Sequence, residues 1–226
     1  MKSNNILTNL VRIIAIAGLV LSCKGIAVKA IDLNKSEKTV SELKVDKKTE
    51  KLKSKNEDYR FWLKVEGTQI DYPVVQAEDN DFYIKRDFNK EESIAGTPFL
   101  DYRNNSLNDK NTIIYAHHMR NGSMFGELKK FKSEDFFNQN NKVTVEINGK
   151  VNTYEVFSVY VTAGTTDYLK VDFLDNEYQE YLNNAIEKSM YDSKVEVNKD
   201  DKIITFSTCS YEFKDARTVV HAKLVK

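Results

Sequence analysis

Cys209, the neighbouring pair His117–His118, and Arg217 have side chains of types and spacing that could carry covalent chemistry. Cys209 closes the run "TFSTC", and the only other cysteine, Cys23, lies in an apolar N-terminal segment. A free thiol near pKa 8.5 is mostly protonated at neutral pH, so a nucleophilic cysteine needs a base or a positive charge beside it. A histidine supplies that base, and afterwards the proton that a departing amine requires. Acyl transfer also needs a donor where negative charge develops on the carbonyl oxygen. Arg217, eight residues after Cys209, brings a permanent charge there if the intervening loop folds back. His117 and His118 follow the apolar run "NTIIYA", where a strand end meets a loop. Loop residues held by a rigid scaffold often carry chemistry. Plainer readings stand beside these: a buried, inert Cys209 acting as a small hydrophobe, and an Arg217 held in a surface salt bridge. His221, four positions beyond Arg217 and on the same strand face, reads as a core or surface strand position.

The elements that must position these residues are mostly strands. "FWLKV" and "IDYPVV" flank a turn at Glu66–Gly67, and Pro73 marks an edge or irregular strand. "NTIIYA" has the short apolar run of a buried strand. "KVTVEINGKVNTYEVFSVYV" is a hairpin with Asn148-Gly149 as its type I′ turn. "KIITFST" and "TVVHAKLV" form a final pair. Two helices interrupt the strands: one marked by Met124, Leu128 and Phe131, and a longer one over about 176–191 with Tyr178, Leu182, Ala185, Ile186 and Met190 as its apolar stripe. Many short strands with few helices predict a β-barrel or sandwich with helical insertions.

Lys+Arg and Asp+Glu both total 34, and a chain of zero formal net charge lacks the basic excess of a nucleic-acid binder. One cysteine outside the N-terminal segment and three histidines, without C-x-x-C or H-E-x-x-H spacing, make a poor metal-ligand set. Neither metal nor cofactor is expected. Near the N-terminus, Ile13–Cys23 is free of charge and flanked by Arg12 and Lys24, the pattern of a signal anchor over residues 1–30. A cleaved signal, or a lipoprotein acylated at Cys23, are the alternatives. All three place the domain outside the membrane, where cysteines usually pair. An unpaired Cys209 is there either an intermolecular link, a reactive thiol or packing. Residues 31–57 alternate lysines with acids and read as a charged stalk or helical linker, with the folded domain over 58–226.

The order of the residues separates thiol enzymes. Papain-like enzymes place the cysteine first, whereas here His117 precedes Cys209 by 92 residues, and the Gln-Ala-Cys signature of caspases is absent. "TFSTC" followed by Arg217, together with "IIYAHHM", resembles the sortase family. "WLKVEGTQIDYPVVQAEDNDFY", "TPFLDYRN" and the long helix before the last strands resemble its class B members. Two positions depart from the family pattern: Ala116 stands where Gly commonly precedes the catalytic histidine, and Phe206 replaces a Leu.

The resemblance implies a mainly β fold, a closed barrel of seven or eight strands with N-terminal helices and a helix inserted before the last two strands. It implies a membrane-anchored cysteine transpeptidase acting at a Gram-positive-type cell surface. Cys209 would be its nucleophile, His117 its acid and base with His118 the alternative, and Arg217 its oxyanion donor. Ser207, Tyr168, Asn80 and Ile84 are candidate substrate contacts. The partners implied are secreted proteins with a C-terminal sorting motif, an amine of the cell-wall peptide or its peptidoglycan precursor, and the membrane through the N-terminal segment. Two rivals remain at this point: a surface-anchored binding domain with an inert thiol, and a thiol hydrolase using the same site.

Overall fold

The computed structural model of the protein describes residues 2–45, 47–164, 167–174 and 176–225, with side chains described from Leu21 onward. Helices α1 (Lys2–Val45) and α2 (Thr49–Lys55) precede strands β1 (Tyr59–Val65), β2 (Asp71–Val75), β3 (Phe99–Leu100) and β4 (Asn111–Tyr115). A short helix α3 (Glu134–Gln139) leads to β5 (Lys142–Ile147) and β6 (Lys150–Ala163). Helix α4 (Glu177–Glu187) then precedes β7 (Ile203–Cys209) and β8 (Ala216–Leu224). The eight strands close into one barrel in the order β1-β2-β3-β4-β7-β8-β6-β5. Pairing is parallel at β2–β3 and β4–β7 and antiparallel elsewhere.

Side-chain alternation decides which residues fill this barrel. Ile204, Phe206, Val220 and Ala222 point inward among Phe61, Leu63 and Val145. Ser207, Cys209, Arg217 and His221 therefore share the outer face. A register shift between Val156 and Ser158 lets both Phe157 and Tyr160 face outward on β6, where Phe157 meets Tyr178 and Leu182 of α4. The β5–β6 turn has Asn148 at φ 52° and Gly149 at φ 74°, as its Asn-Gly sequence predicts. Pro73 is tolerated because β2 meets the two-residue β3 only at Val75, so no ladder partner needs the missing N–H.

Two helical expectations are corrected. The segment of Met124, Leu128 and Phe131 buries all three residues, but it is a 3₁₀ turn over Gly126–Lys132 and not an α-helix. Met124 has φ 54°, outside the helical region, and Gly126 sits so close to the Met119 carbonyl that a β-carbon would lie 2.3 Å from it. The later helix is shorter than 176–191: it ends at Glu187, Tyr178, Leu182 and Ala185 carry its buried stripe, and Met190 is exposed.

Helix α1 runs through residue 30 without a break. Its charged half lies on the barrel, with Leu43 buried beside Leu52, Trp62 and Tyr83 and Lys44 paired to Asp71, which also pairs with Lys47 just beyond the helix. Among the described residues no helix is long and apolar enough to cross a membrane. The side chains of residues 1–20, which hold most of the expected anchor, lie outside the described residues.

His221 is a core residue of the layer between β8 and α4. Tyr160 Oη stands 2.9 Å from its Nε2 and Thr205 Oγ1 stands 2.8 Å from its Nδ1. Thr205 donates its own proton to Asn111 Oδ1 at 2.6 Å, so His221 Nδ1 is the donor and Nε2 the acceptor. Burial, helped by the charge of Lys188, pushes the imidazole pKa down to about 3. The unfolded chain thus takes up this proton first as pH falls, near 6.5. The stabilisation is complete above pH 6.5 and is lost progressively toward pH 3, amounting to about 2 kcal/mol by pH 5. Urea unfolding across pH 7 to 4.5 should show this slope in the wild type and a flatter one in His221→Gln. Equal slopes in the two proteins would refute the assignment.

Candidate active site

One groove of about 340 Å³ is lined by seven of the residues singled out in the sequence: Cys209, His117, Arg217, Ser207, Tyr168, Asn80 and Ile84. Its floor is the outer face of β4, β7 and β8. The register puts Tyr115 beside Ser207 in the parallel β4–β7 pair and Cys209 directly opposite Arg217 in the antiparallel β7–β8 pair. Continuing β4 by two residues brings His117 to the level of Cys209. His117 follows the end of β4, Cys209 closes β7 and Arg217 lies near the start of β8, so the three side chains come together in one groove at the same end of three adjacent strands, which lie about 4.8 Å apart. The 92-residue and eight-residue separations in sequence become neighbours because one is a parallel pairing and the other a hairpin.

Each of the three is held from outside the group. His117 Nε2 donates to the carbonyl of Ile84 at 2.7 Å, so Nδ1 is the ring nitrogen not committed to that bond. Ile84 belongs to a 3₁₀ turn over Phe82–Lys85 in the β2–β3 loop. Gly96, at φ 63°, passes that turn so closely that a β-carbon would lie 2.7 Å from the Ile84 and Tyr83 carbonyls. Only glycine satisfies both the conformation and the approach. Thr208 Oγ1 donates to the Ala116 carbonyl at 2.8 Å, fastening the cysteine strand to the histidine strand. Arg217 Nη1 donates to the carbonyls of Asp215 and Ala216 at 3.1 and 3.0 Å, which fixes the plane of its guanidinium. Gly164 backs that plane, since a β-carbon there would stand 3.4 Å from Arg217 Cζ. Among the described residues no carboxylate pairs with Arg217, so the surface salt-bridge reading finds no partner.

His118 faces elsewhere. Its Nδ1 donates to the Cys209 carbonyl at 2.9 Å, its ring meets Tyr211 edge-on at 5.2 Å, and it is absent from the groove lining. Burial pushes its pKa down, against the raising effect of that hydrogen bond, so the ring is neutral at pH 7. His117 is thus the histidine that the groove presents.

The walls come from two loops. The β2–β3 loop supplies Asn80, whose Nδ2 donates to Asp101 Oδ2 at 3.1 Å and whose Oδ1 accepts from the Tyr102 N–H at 3.0 Å. The β6–α4 connection supplies Tyr168, whose hydroxyl lies 3.1 Å from Ser207 Oγ. Thr97, Gly164, Leu169 and Thr208 also line the groove and were not named from the sequence. Thr97 and Thr208 stand inside the quoted segments "TPFLDYRN" and "TFSTC", where a signal was available; Gly164 and Leu169 carry none. Both departures from the family pattern are accommodated: the Ala116 methyl joins the main core, and Phe206 is fully buried, edge-on to Phe125 at 5.7 Å. Among the described residues no group of His, Cys, Asp or Glu is arranged to hold a metal ion.

A family model of the sortase domain matches residues 63–225. Sortase B of Listeria monocytogenes is 39% identical over 178 residues, 77% of this chain and 72% of that protein. The structure of sortase B from Clostridium perfringens superposes with a TM-score of 0.76 at 45% identity, covering 78% of this chain and 99% of that one. Sortase B from Bacillus anthracis, solved in complex with AAEK1, gives a TM-score of 0.80 at 37% identity, with 87% and 99% covered.

Proposed function

Given that this chain belongs to the sortase family of cysteine transpeptidases, with sortase B proteins as its relatives, we propose that Cys209, His117 and Arg217 move an acyl group from a sorting motif to an amine. The Cys209 thiolate attacks the carbonyl carbon of the motif's Thr, and Arg217 donates to the oxyanion that forms. The C–N bond after Thr then breaks, His117 gives its Nδ1 proton to the departing amine, and a thioester remains on Cys209. An incoming amine attacks that thioester, His117 takes its proton, the new amide forms, and the thiolate is released.

The observation that carries this reading is the meeting of thiol, imidazole and guanidinium in one groove at the ends of three adjacent strands, with no carboxylate paired to the guanidinium among the described residues. Ser207, Tyr168, Asn80 and Ile84 line the same groove and are its substrate contacts. The donor proteins are secreted chains with a C-terminal motif of the Leu-Pro-x-Thr-Gly or Asn-Pro-Gln-Thr-Asn kind. The acceptor is an amine of the cell-wall peptide or its precursor. Residues 1–30 anchor the enzyme, 31–57 form a helical linker that docks on the barrel, and 58–226 work on the outer side of the membrane.

The test incubates the full chain in detergent with peptides of both motifs, with and without triglycine, and follows protein and peptides by mass spectrometry. Expected is a fragment ending in Thr on Cys209, absent from Cys209→Ala and passed to triglycine. A fragment released only to water would make the protein a thiol hydrolase. An unmodified Cys209 that also resists iodoacetamide would restore the inert-thiol reading.

A further inference from the structure

The carbonyls of Tyr168, Leu169 and Lys170, three in succession along one groove wall, each accept a hydrogen bond from a side chain rooted elsewhere. The donors are Tyr181 Oη of α4, Arg103 Nη2 of the β3–β4 turn, and Asn111 Nδ2 of β4, each at 2.9 Å. A connecting segment has no ladder of its own to satisfy these groups, so its path follows its donors. Arg103 differs from the other two in what lies behind it. Its Nε and Nη2 grip the Asp101 carboxylate at 2.8 Å each, and Asp101 is fully buried. The same carboxylate accepts from Tyr115 Oη at 2.8 Å and from Asn80 Nδ2 at 3.1 Å. Asn80 and Leu169 line the groove from two different loops. The chain Asn80–Asp101–Arg103–Leu169 therefore joins wall to wall through a planar ion pair and no flexible link.

We propose that Arg103, clamped by Asp101, is a positioning residue that fixes the separation of the two groove walls and thereby the fit of an extended peptide beside Cys209. The proposal rests on the acyl-transfer reading of the groove. Neither residue touches the reacting groups, so their effect falls on peptide binding and not on the thiol. Burial alone would push the Asp101 carboxyl up, but the Arg103 fork, the Arg103 N–H and the Tyr115 hydroxyl outweigh it and hold the carboxyl below its usual range. The clamp is thus charged across the neutral pH range.

Arg103→Ala would strand a buried carboxylate and endanger the fold. Arg103→Lys is the working variant, because it keeps the charge but cannot hold two carboxylate oxygens and the Leu169 carbonyl in one plane. The double variant Asp101→Asn with Arg103→Gln removes the pair while leaving no lone charge. Three quantities are measured on the full chain in detergent: amide hydrogen exchange of residues 167–171, alkylation of Cys209 by iodoacetamide, and kcat and KM for an Asn-Pro-Gln-Thr-Asn peptide with triglycine. For the loss of a charge-assisted hydrogen bond, exchange should quicken and KM rise, each about tenfold in both variants, while alkylation and kcat hold. Unchanged exchange and KM would overturn the proposal, as would a fall in kcat with slowed alkylation and unchanged KM. If the wild type processes no peptide, the acyl-transfer reading fails, and exchange alone still decides whether Arg103 holds the wall.

Discussion

His117→Ala is expected to lower kcat/KM by about a thousandfold, while His118→Ala stays within about tenfold of the wild type. The two residues are adjacent, so the contrast measures orientation and not location. His117 has one nitrogen committed to the Ile84 carbonyl and presents the other to the groove that Cys209 lines. In the proposed mechanism two proton transfers depend on it: one to the departing amine, without which the tetrahedral adduct collapses back to substrate, and one from the entering amine. His118 is spent on the Cys209 carbonyl and on Tyr211, and burial keeps it neutral. Its loss loosens a strand end and removes no proton carrier. Rates measured with peptide and triglycine, beside iodoacetamide labelling of Cys209, test this. A comparable loss in both variants, or a larger one in His118→Ala, would move the acid–base role off His117.

That Cys209, His117 and Arg217 meet in one groove was legible in the sequence, and the origin of that meeting explains why. Cys209 and Arg217 are joined by a short hairpin, and local turn chemistry makes such a pairing readable. Their register opposite one another follows once β7 and β8 pair. The β5–β6 hairpin was equally plain, because Asn-Gly announces its own turn. Periodicity identified the burial of Met124, Leu128 and Phe131 but not their backbone, since a 3₁₀ turn beside a crowded glycine buries the same three residues. In the charged segment, Val40 and Leu43 form the face by which α1 docks on the barrel. The wall clamp stayed hidden. Arg103 meets Leu169 across 66 positions and Asn111 meets Lys170 across 59, and neither contact leaves a spacing in the chain. "TPFLDYRN" stood out as a segment, but nothing in it tells a reader that Asp101 is the buried hub and Arg103 the arm.

Arg217→Lys should lower turnover about a hundred- to thousandfold although the positive charge is kept, equivalent to about 2.7–4 kcal/mol of lost transition-state stabilisation. The reason lies in how the guanidinium is held. Nη1 is tied to the Asp215 and Ala216 carbonyls, and the flat face of Gly164 leaves the plane no side chain to push against. One edge of the fork is thus anchored to the backbone while the rest reaches the groove opposite Cys209. A lysine ammonium is a single point at the end of a flexible stem. Turning to the two carbonyls, it leaves the oxyanion unmet; turning to the oxyanion, it gives up the anchor that fixes its position. Pre-steady-state kinetics locate the loss, because oxyanion stabilisation is needed in forming the thioester and again in resolving it, so both phases should slow together. Iodoacetamide labelling should change far less, since alkylation at sulfur passes through no oxyanion. Turnover near that of the wild type, or a loss that labelling reproduces in full, would remove Arg217 from the oxyanion site and leave it the lesser task of holding charge beside the thiol.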